Sequence, residues 1–213
     1  MTFFDPDGLE LEIVAHKSAE DKSMNVWKEG PVPVEQAIRG FHSVTLSEEG
    51  YERTASVLVK ELGFTPTLQD GSRYRFEISP KNGNNIDDKE DDLIRANIVD
   101  IVCLPYTQRS MTGIGSVHHV AWRTPSDQQQ LALRNKIVEI GLNPTPVIDR
   151  VYFHSVYFRE PGGVLFEVAT NPPGLTVDEN SESLGTHLTL APWLEPIRNQ
   201  LEKVLSKVQL PKK

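Results

Sequence analysis

The sequence predicts an α+β fold built from tandem βαβββ units, because segments recur at one period and each copy has the same order of elements. FHSV at 41–44 returns as VHHV at 117–120, 76 residues later. LGFTPT at 62–67 returns as IGLNPT at 140–145, 78 residues later. A fixed period of this length is typical of a repeated structural unit.

A third repeated feature is a glycine turn followed by an apolar strand. FFDPDGLELEIVA at 3–15 is echoed by FREPGGVLFEVAT at 158–170, 155 residues or about two periods later. In each copy a glutamate, Glu12 or Glu167, lies four residues after the turn glycine. A carboxylate at such a place is a natural metal ligand or catalytic acid. Because the motif closes a unit, we expect the chain to begin in the last strand of a unit whose body is missing.

Each complete unit is predicted to contain a short strand, a helix and then about three strands. In the second unit, Ser126 and Gln129 form a capping box, and apolar residues follow at helical spacing until Gly141. These apolar residues are Leu133, Ile137 and Ile140. The first unit has a corresponding apolar stripe that ends at Gly63. Its members are Ala55, Leu58 and Leu62.

After the helix of the second unit, strands are predicted at about 144–149, 151–158 and 163–170. The repeat then divides the chain into five segments. They are 1–16, the terminal strand of a preceding unit; 17–36, a polar linker; 37–107, a βαβββ unit without a good metal site; 108–175, a βαβββ unit with metal-ligand residues; and 176–213, a tail with an amphipathic helix over 195–208. A solvated loop is predicted at 81–92, with a calcium site as the weaker alternative.

Composition excludes several classes of protein. The net charge of −8 argues against binding to nucleic acid, which requires clustered Lys and Arg. The sequence has neither an apolar run of the roughly 20 residues that cross a bilayer nor a secretory signal. The single cysteine, Cys103, cannot form an internal disulfide and lies in an apolar run, so it is predicted to be a core residue. These features predict a cytoplasmic protein.

The second unit carries the residues best suited to chemistry. His119 and Glu167 lie in its first and last predicted strands, which can be neighbours in one sheet. One imidazole and one carboxylate are two thirds of the 2-His-1-carboxylate ligand set. A histidine alone on a strand is more often structural, but the recurring glutamate favours a metal site. The first unit carries Ser43 and Asp100 at the matching places, which do not make a convincing one.

Other polar residues lie close to this pair in the sequence. His118 should point to the opposite face if its strand is regular, although it could reach a site at the end of the strand. Arg150, Tyr157 and His154 lie on or beside the next strands and could supply the donors and acids that a phenolate-type substrate needs. For each of them, ordinary packing is about as well supported as function. Trp122 is predicted to be a core residue.

Three stretches carry a resemblance to a known family. They are GSVHHVAWRTPSDQQQLALR, NPTPVIDRVYFHSVYFREPGGVLFEVATNPPG and LAPWLEPIR. With the repeated βαβββ pattern, they resemble the vicinal oxygen chelate superfamily of glyoxalases, bleomycin-resistance proteins and extradiol dioxygenases. The similarity is closest to the C-terminal half of hydroquinone-type ring-cleaving dioxygenases, and it is most specific over 115–196.

The resemblance implies that His119 and Glu167 bind Fe(II), with Mn(II) as the alternative, and that His118, Arg150 and Tyr157 line the substrate pocket. It implies a small aromatic diol substrate, cleavage of its ring by O₂, and a homodimer as one arrangement. The family's second histidine belongs to its first unit. We therefore expect an N-terminally truncated form with impaired activity alone, unless another chain or His154 supplies the ligand.

Two further functions stay open at this point. A glyoxalase-like isomerase or transferase on the same fold would bind a divalent metal and consume no oxygen. A non-catalytic module would instead hold a planar aromatic compound in the cup between two units.

Overall fold

Two four-stranded sheets, each accompanied by one helix, organise most of the described chain. The structure is a computed structural model and describes residues 1–15, 26–27, 30–78, 98–106, 113 and 115–208. In both sheets the elements follow one another in the order βαβββ. The predicted α+β architecture of tandem units is confirmed.

A hairpin precedes the first sheet. Its strands β1 (Thr2–Phe4) and β2 (Glu10–Glu12) pair antiparallel across the DPDG turn. The Asp5 carboxylate accepts hydrogen bonds from the backbone N–H groups of Asp7 and Leu9, which closes the turn. The segment 1–16, which was predicted as a single strand, therefore contains two strands.

The EPGG turn of the second unit is built in the same way. There the Glu160 carboxylate accepts from the N–H groups of Gly162 and Val164. Gly163 has φ +105° and Gly8 of the first turn has φ +89°, a region that glycine adopts without strain. The similar DPDG and EPGG sequences thus form the same kind of turn. In each, the carboxylate of the first residue accepts hydrogen bonds from the backbone N–H groups that follow.

The first unit contains β3 (Val44–Glu48), α1 (Glu52–Lys60), β4 (Thr65–Asp70), β5 (Arg73–Glu77) and β6 (Ile98–Cys103). Its strand order is β3-β6-β5-β4, with β3 and β6 parallel and the other pairs antiparallel. The first and last strands of the unit are therefore neighbours.

The second unit repeats this arrangement with β7 (Val120–Thr124), α2 (Asp127–Glu139), β8 (Ile148–Asp149), β9 (Phe153–Arg159) and β10 (Leu165–Pro173). Its order is β7-β10-β9-β8, and β7 runs parallel to β10. The strand predicted over 144–149 is confined to its last two residues.

The two main helices begin and end near the predicted signals. Ser126 caps α2 by accepting a hydrogen bond from the backbone N–H of Gln129 at 3.3 Å. Gly141 follows the helix with φ +82°. Ile137 is buried, whereas Ile140 is exposed, so the predicted apolar stripe is one residue too long. Gln130 is buried instead, because its amide donates to the backbone carbonyls of His154 and Val168.

One hydrophobic core joins the two units. In the second sheet, Phe158, Phe166 and Val168 belong to it, and Val156, which is also buried, lies on the same side of the sheet. Trp122 packs edge-on against Phe64 of the first unit, with ring centroids 5.4 Å apart, which places this tryptophan against the core as predicted. The intervening residues of β9 and β10 face the other side of the sheet.

A buried polar contact also links the units. The Thr54 hydroxyl lies 2.7 Å from Glu48 Oε2 and 2.5 Å from Glu160 Oε2. A hydroxyl has one hydrogen, so it can donate to only one of these carboxyl groups and must accept from the other. Burial raises the pKa of Glu48 to about 7, against the Thr54 hydrogen bond and with the help of the Glu160 charge. A proton is therefore retained within this cluster.

The C-terminal segment differs from its prediction. A 3-10 turn at Pro192–Ile197 is followed by α3 (Arg198–Val204), which is shorter than the predicted helix over 195–208. Pro196 lies inside the turn and Leu205 is extended, which limits the regular helix to seven residues. Its predicted apolar face is largely exposed, with Val204 at 79%. No helix among the described residues is both long and apolar enough to span a bilayer.

Several predictions fall outside the described residues. The loop at 81–92 and its calcium alternative lie there entirely, as does most of the linker at 17–36. The five-segment division of the chain consequently stays a prediction.

Candidate metal centre

The parallel pairing of β7 with β10 brings His119 and Glu167 together. His119 immediately precedes β7, and Glu167 is the register partner of Ala121 on that strand. His119 Nε2 lies 2.7 Å from Glu167 Oε2. The imidazole is 32% exposed and the carboxylate 4% exposed, so the pair combines a buried anion with a ring that small molecules can reach.

The other oxygen of Glu167 is held by two hydroxyls from β9. Tyr157 donates to Glu167 Oε1 at 2.7 Å, and the Ser155 hydroxyl donates to the same oxygen. Both donors lie on the face of β9 opposite the core, since their neighbours Val156 and Phe158 are buried on the core side. Glu167 Oε1 is thereby fixed, while Oε2 faces His119.

The remaining predicted pocket residues surround this pair. His118 Nδ1 lies 2.9 Å from His119 Nδ1, so the two rings touch rather than pointing to opposite faces. Both histidines precede the regular strand, so the condition for opposite faces is not met and the alternative, a site at the end of the strand, holds. Arg150 donates to the Tyr157 hydroxyl at 3.3 Å, and its guanidinium lies 5.4 Å from the centroid of that ring. The structure therefore gathers the five residues that the family resemblance assigned to the site.

His154 does not belong to this group. Its Nδ1 lies 2.6 Å from Asp127 Oδ1, at the first turn of α2. It alternates with Ser155 on β9 and therefore lies on the helix side of the sheet. The suggestion that His154 could supply the absent ligand is wrong on this geometry.

Ser155 was not found from the sequence. Its side chain is fully buried on the face of β9 that Tyr157 shares. The available signal was its spacing, since a small hydroxyl residue two positions before Tyr157 must share the face of that tyrosine. The sequence does not show that a carboxylate lies opposite, because that depends on the register of β9 with β10.

The equivalent place in the first unit is an ion-pair cluster. Asp100 pairs in register with Thr45 and is fully buried. Arg75 and Arg73 donate to its carboxylate at 2.7 and 2.8 Å. Burial would raise the pKa of Asp100, but the hydrogen bonds from Arg75 and Arg73 outweigh it and lower that pKa below its ordinary value. Glu12, the other repeated glutamate, binds Arg73 at 2.6 Å. Both carboxylates are thus engaged by arginine.

The donor set of the second unit fits part of a metal site. An imidazole nitrogen and a carboxylate oxygen are suitable ligands for a divalent transition metal, and they already lie close enough to share one ion. The hydroxyls on Oε1 are outer contacts of the kind that orient metal-binding carboxylates. Within the described ranges, no three His, Cys, Asp or Glu side chains are grouped so as to hold a metal. The described residues therefore offer two protein ligands there.

Comparison with known proteins finds relatives that span nearly the whole chain. The chain is 39% identical over 203 residues to MhqO of Bacillus subtilis strain 168, provisionally named a ring-cleaving dioxygenase, covering 95% of this chain and 60% of that protein. It is 32% identical over 213 residues to chlorohydroquinone/hydroquinone 1,2-dioxygenase of Sphingobium indicum, covering 97% and 61%. The chain thus spans about 60% of the length of these relatives. No protein-family model matches it.

Comparison with solved structures finds the same kind of relatives. A protein from Bacillus subtilis, provisionally named a dioxygenase, superposes with a TM-score of 0.82 at 35% identity, covering 100% of this chain and 63% of that one. A glyoxalase/bleomycin resistance protein/dioxygenase domain from Frankia sp. shares the fold, with a TM-score of 0.50 at 11% identity over 64% of this chain and 95% of that one. The chain has the vicinal oxygen chelate fold and resembles the hydroquinone-type ring-cleaving dioxygenases of that superfamily.

Proposed function

We propose that the chain carries the metal- and substrate-binding sheet of an extradiol-type dioxygenase that opens hydroquinone-type aromatic rings with O₂. The observation that carries this proposal is the 2.7 Å approach of His119 Nε2 to Glu167 Oε2, with Tyr157, Arg150 and His118 around it. The named relatives support the class of reaction. We also propose a cytoplasmic homodimer.

The metal in this proposal is Fe(II), with Mn(II) as the alternative, held by His119 and Glu167. When bound, it would supply open coordination positions for substrate and O₂ and the electrons that activate O₂. Because only two protein ligands come from the described residues, the proposal includes weak metal affinity and low activity for this polypeptide alone.

The chain's own residues bind the diol and move its protons. The Tyr157 hydroxyl lies beside the His119 ring and can exchange a proton with a substrate hydroxyl. Arg150 holds the Tyr157 side chain in place and places a positive charge where a phenolate would bind. His118 is a second donor or acceptor at the end of the strand.

A cavity lies next to this pair along the same sheet, and its lining comes from residues other than the pair itself. Its volume is about 290 Å³, close to the lower limit for small-molecule sites. Ala121 is the register partner of Glu167, and Ala169 follows that glutamate by two residues. Small side chains therefore leave room for a planar ring beside the metal ligands, with Phe153 as a wall.

The test is anaerobic loading with Fe(II), followed by oxygen-electrode measurements with hydroquinone and chlorohydroquinone. We expect uptake above the free-iron background, and loss of that uptake in His119→Ala and in Glu167→Ala. His154→Ala, on the helix side, is the matched control and should retain it. Metal binding without oxygen uptake would favour the isomerase or transferase, and aromatic binding unchanged in both ligand variants would favour the binding module.

A further inference from the structure

Glu167 Oε1 has two hydroxyl donors with different surroundings. Ser155 is fully buried, and its hydroxyl makes no other contact among the residues that the structure describes. Tyr157 is only partly buried, lies edge-on to the His119 ring and also receives a hydrogen bond from Arg150. One donor is thus enclosed in the sheet, and the other is partly exposed beside the His119 ring.

We infer that Ser155 is a positioning residue, whose hydroxyl keeps Glu167 oriented toward His119 and allows the Tyr157 hydroxyl to leave the carboxylate for a substrate hydroxyl. This inference rests on the proposed function, because it assigns Ser155 a role in the same site. Ser155 touches neither substrate nor metal and acts through Glu167.

Glu167 Oε1 is buried and must keep at least one hydrogen-bond donor. A carboxylate oxygen that is buried without a hydrogen bond is strongly disfavoured. If Tyr157 were the only donor, its departure toward substrate would leave Oε1 unpaired, and the carboxylate would turn away from His119. With Ser155 in place, Oε1 keeps one donor throughout, so Oε2 remains available to an ion.

The register of β9 with β10 places both hydroxyl groups near Glu167 Oε1. Ser155 is the partner of Ala169, and Tyr157 is the partner of Glu167 itself. The serine therefore reaches Oε1 diagonally from a neighbouring pair, with a short side chain of few rotamers. Tyr157 reaches the same oxygen with a long side chain whose hydroxyl is at the pocket.

The test measures Mn(II) affinity, by the loss of the free-ion EPR signal, for Ser155→Ala, Tyr157→Phe and the double variant. We expect about a tenfold loss for Ser155→Ala, less than about threefold for Tyr157→Phe, and more than about 100-fold for the double variant. The double loss exceeds the product of the single losses because it removes the last donor. Ser155→Thr retains a hydroxyl and should restore most of the affinity.

Thr170→Val is the matched control, because it removes a buried hydroxyl from the same sheet on the side facing away from Glu167. It should leave Mn(II) affinity unchanged, and thermal unfolding of every variant checks that the fold persists. Wild-type affinity in Ser155→Ala, or a double loss equal to the product of the single losses, overturns the inference alone. The expected affinity pattern without oxygen uptake overturns only the proposed reaction, and no Mn(II) binding by the wild type overturns both.

Discussion

Asp100 and Glu167 occupy equivalent positions in the two sheets but have opposite chemical surroundings. Each lies on the last strand of its unit and pairs with the strand that opens it, Asp100 with Thr45 and Glu167 with Ala121. Asp100 is neutralised by Arg73 and Arg75, whereas Glu167 is held by two neutral hydroxyls beside an imidazole. The first carboxylate is thus part of a structural ion pair, and the second keeps an oxygen oriented toward a potential ligand.

Replacing Asp100 by asparagine should destabilise the fold without affecting metal binding. The two guanidinium groups would lose their buried anion, and we expect a decrease of about 2–4 kcal/mol in the free energy of unfolding, measured in urea. Glu12→Gln removes the exposed carboxylate from the same Arg73 and should cost less than about 1 kcal/mol. Equal losses in the two variants would contradict the structural role of Asp100.

Tyr157→Phe should separate proton transfer from metal binding. Removing the hydroxyl eliminates a group positioned to exchange a proton with the substrate, so kcat for ring cleavage should fall by roughly 10²–10⁴. Mn(II) affinity should remain within about threefold, because Ser155 still donates to Glu167. Tyr152→Phe, whose hydroxyl contacts Asp178 instead, is the control and should keep wild-type kcat. Parallel loss of affinity and kcat in Tyr157→Phe would refute the assignment.

The stability of the protein should decrease as pH rises through neutrality. Burial raises the pKa of Glu48 from 4.5 to about 7, against the Thr54 hydrogen bond and with the help of the Glu160 charge. Between these values the folded chain keeps a proton that the unfolded chain has released. The contribution is therefore complete below pH 4.5 and is lost as pH rises through 7, by roughly 3 kcal/mol.

Urea unfolding between pH 5 and 8 measures this decrease, and Glu48→Gln should remove it, because the amide is neutral at every pH. Glu52→Gln on the exposed first turn of α1 changes the net charge equally and should leave the pH dependence intact. A Glu48→Gln protein with the wild-type profile would show that another group is responsible.

Gly162→Ala should destabilise the contact between the units. A Cβ atom at Gly162 would lie 2.3 Å from Glu48 Oε2, which is itself buried and has little room to move. We expect a loss of about 1–3 kcal/mol in the free energy of unfolding. Gly50→Ala meets only the end of the exposed Glu52 side chain, at 3.2 Å, and serves as the control. The cost of Gly162→Ala should shrink in a Glu48→Ala background, and additive losses would argue against the contact.

Much of this architecture is readable in the sequence because it depends on local signals that recur. Ser126 and Gly141 mark the limits of α2 through backbone capping, and the DPDG and EPGG turns record the same acid-capped geometry. The pairing of the first and last strands of a unit follows from the repeat. Neighbouring first and last strands are sufficient to place His119 and Glu167 at one site.

Features that depend on strand register and tertiary packing cannot be predicted from the sequence. Ser155 reaches Glu167 only because β9 and β10 pair in one register. The hydrogen bond of His154 to Asp127 likewise depends on how α2 packs against the sheet, although strand alternation already places His154 and Tyr157 on opposite faces. The Glu48–Thr54–Glu160 cluster requires the two units to pack against each other, and nothing in either unit alone predicts it. Likewise, Pro196 and the extended Leu205 shorten a helix whose apolar spacing looked continuous.

Strand β7 is at the edge of its sheet and is hydrogen-bonded within it only to β10. His119 immediately precedes this edge strand, and Glu167 belongs to its single neighbour. An ion bound by both side chains therefore links β7 to β10 at the edge of the sheet. Detachment of β7 from β10 would release that ion. The bound ion therefore stays no longer than the edge strand remains paired with β10.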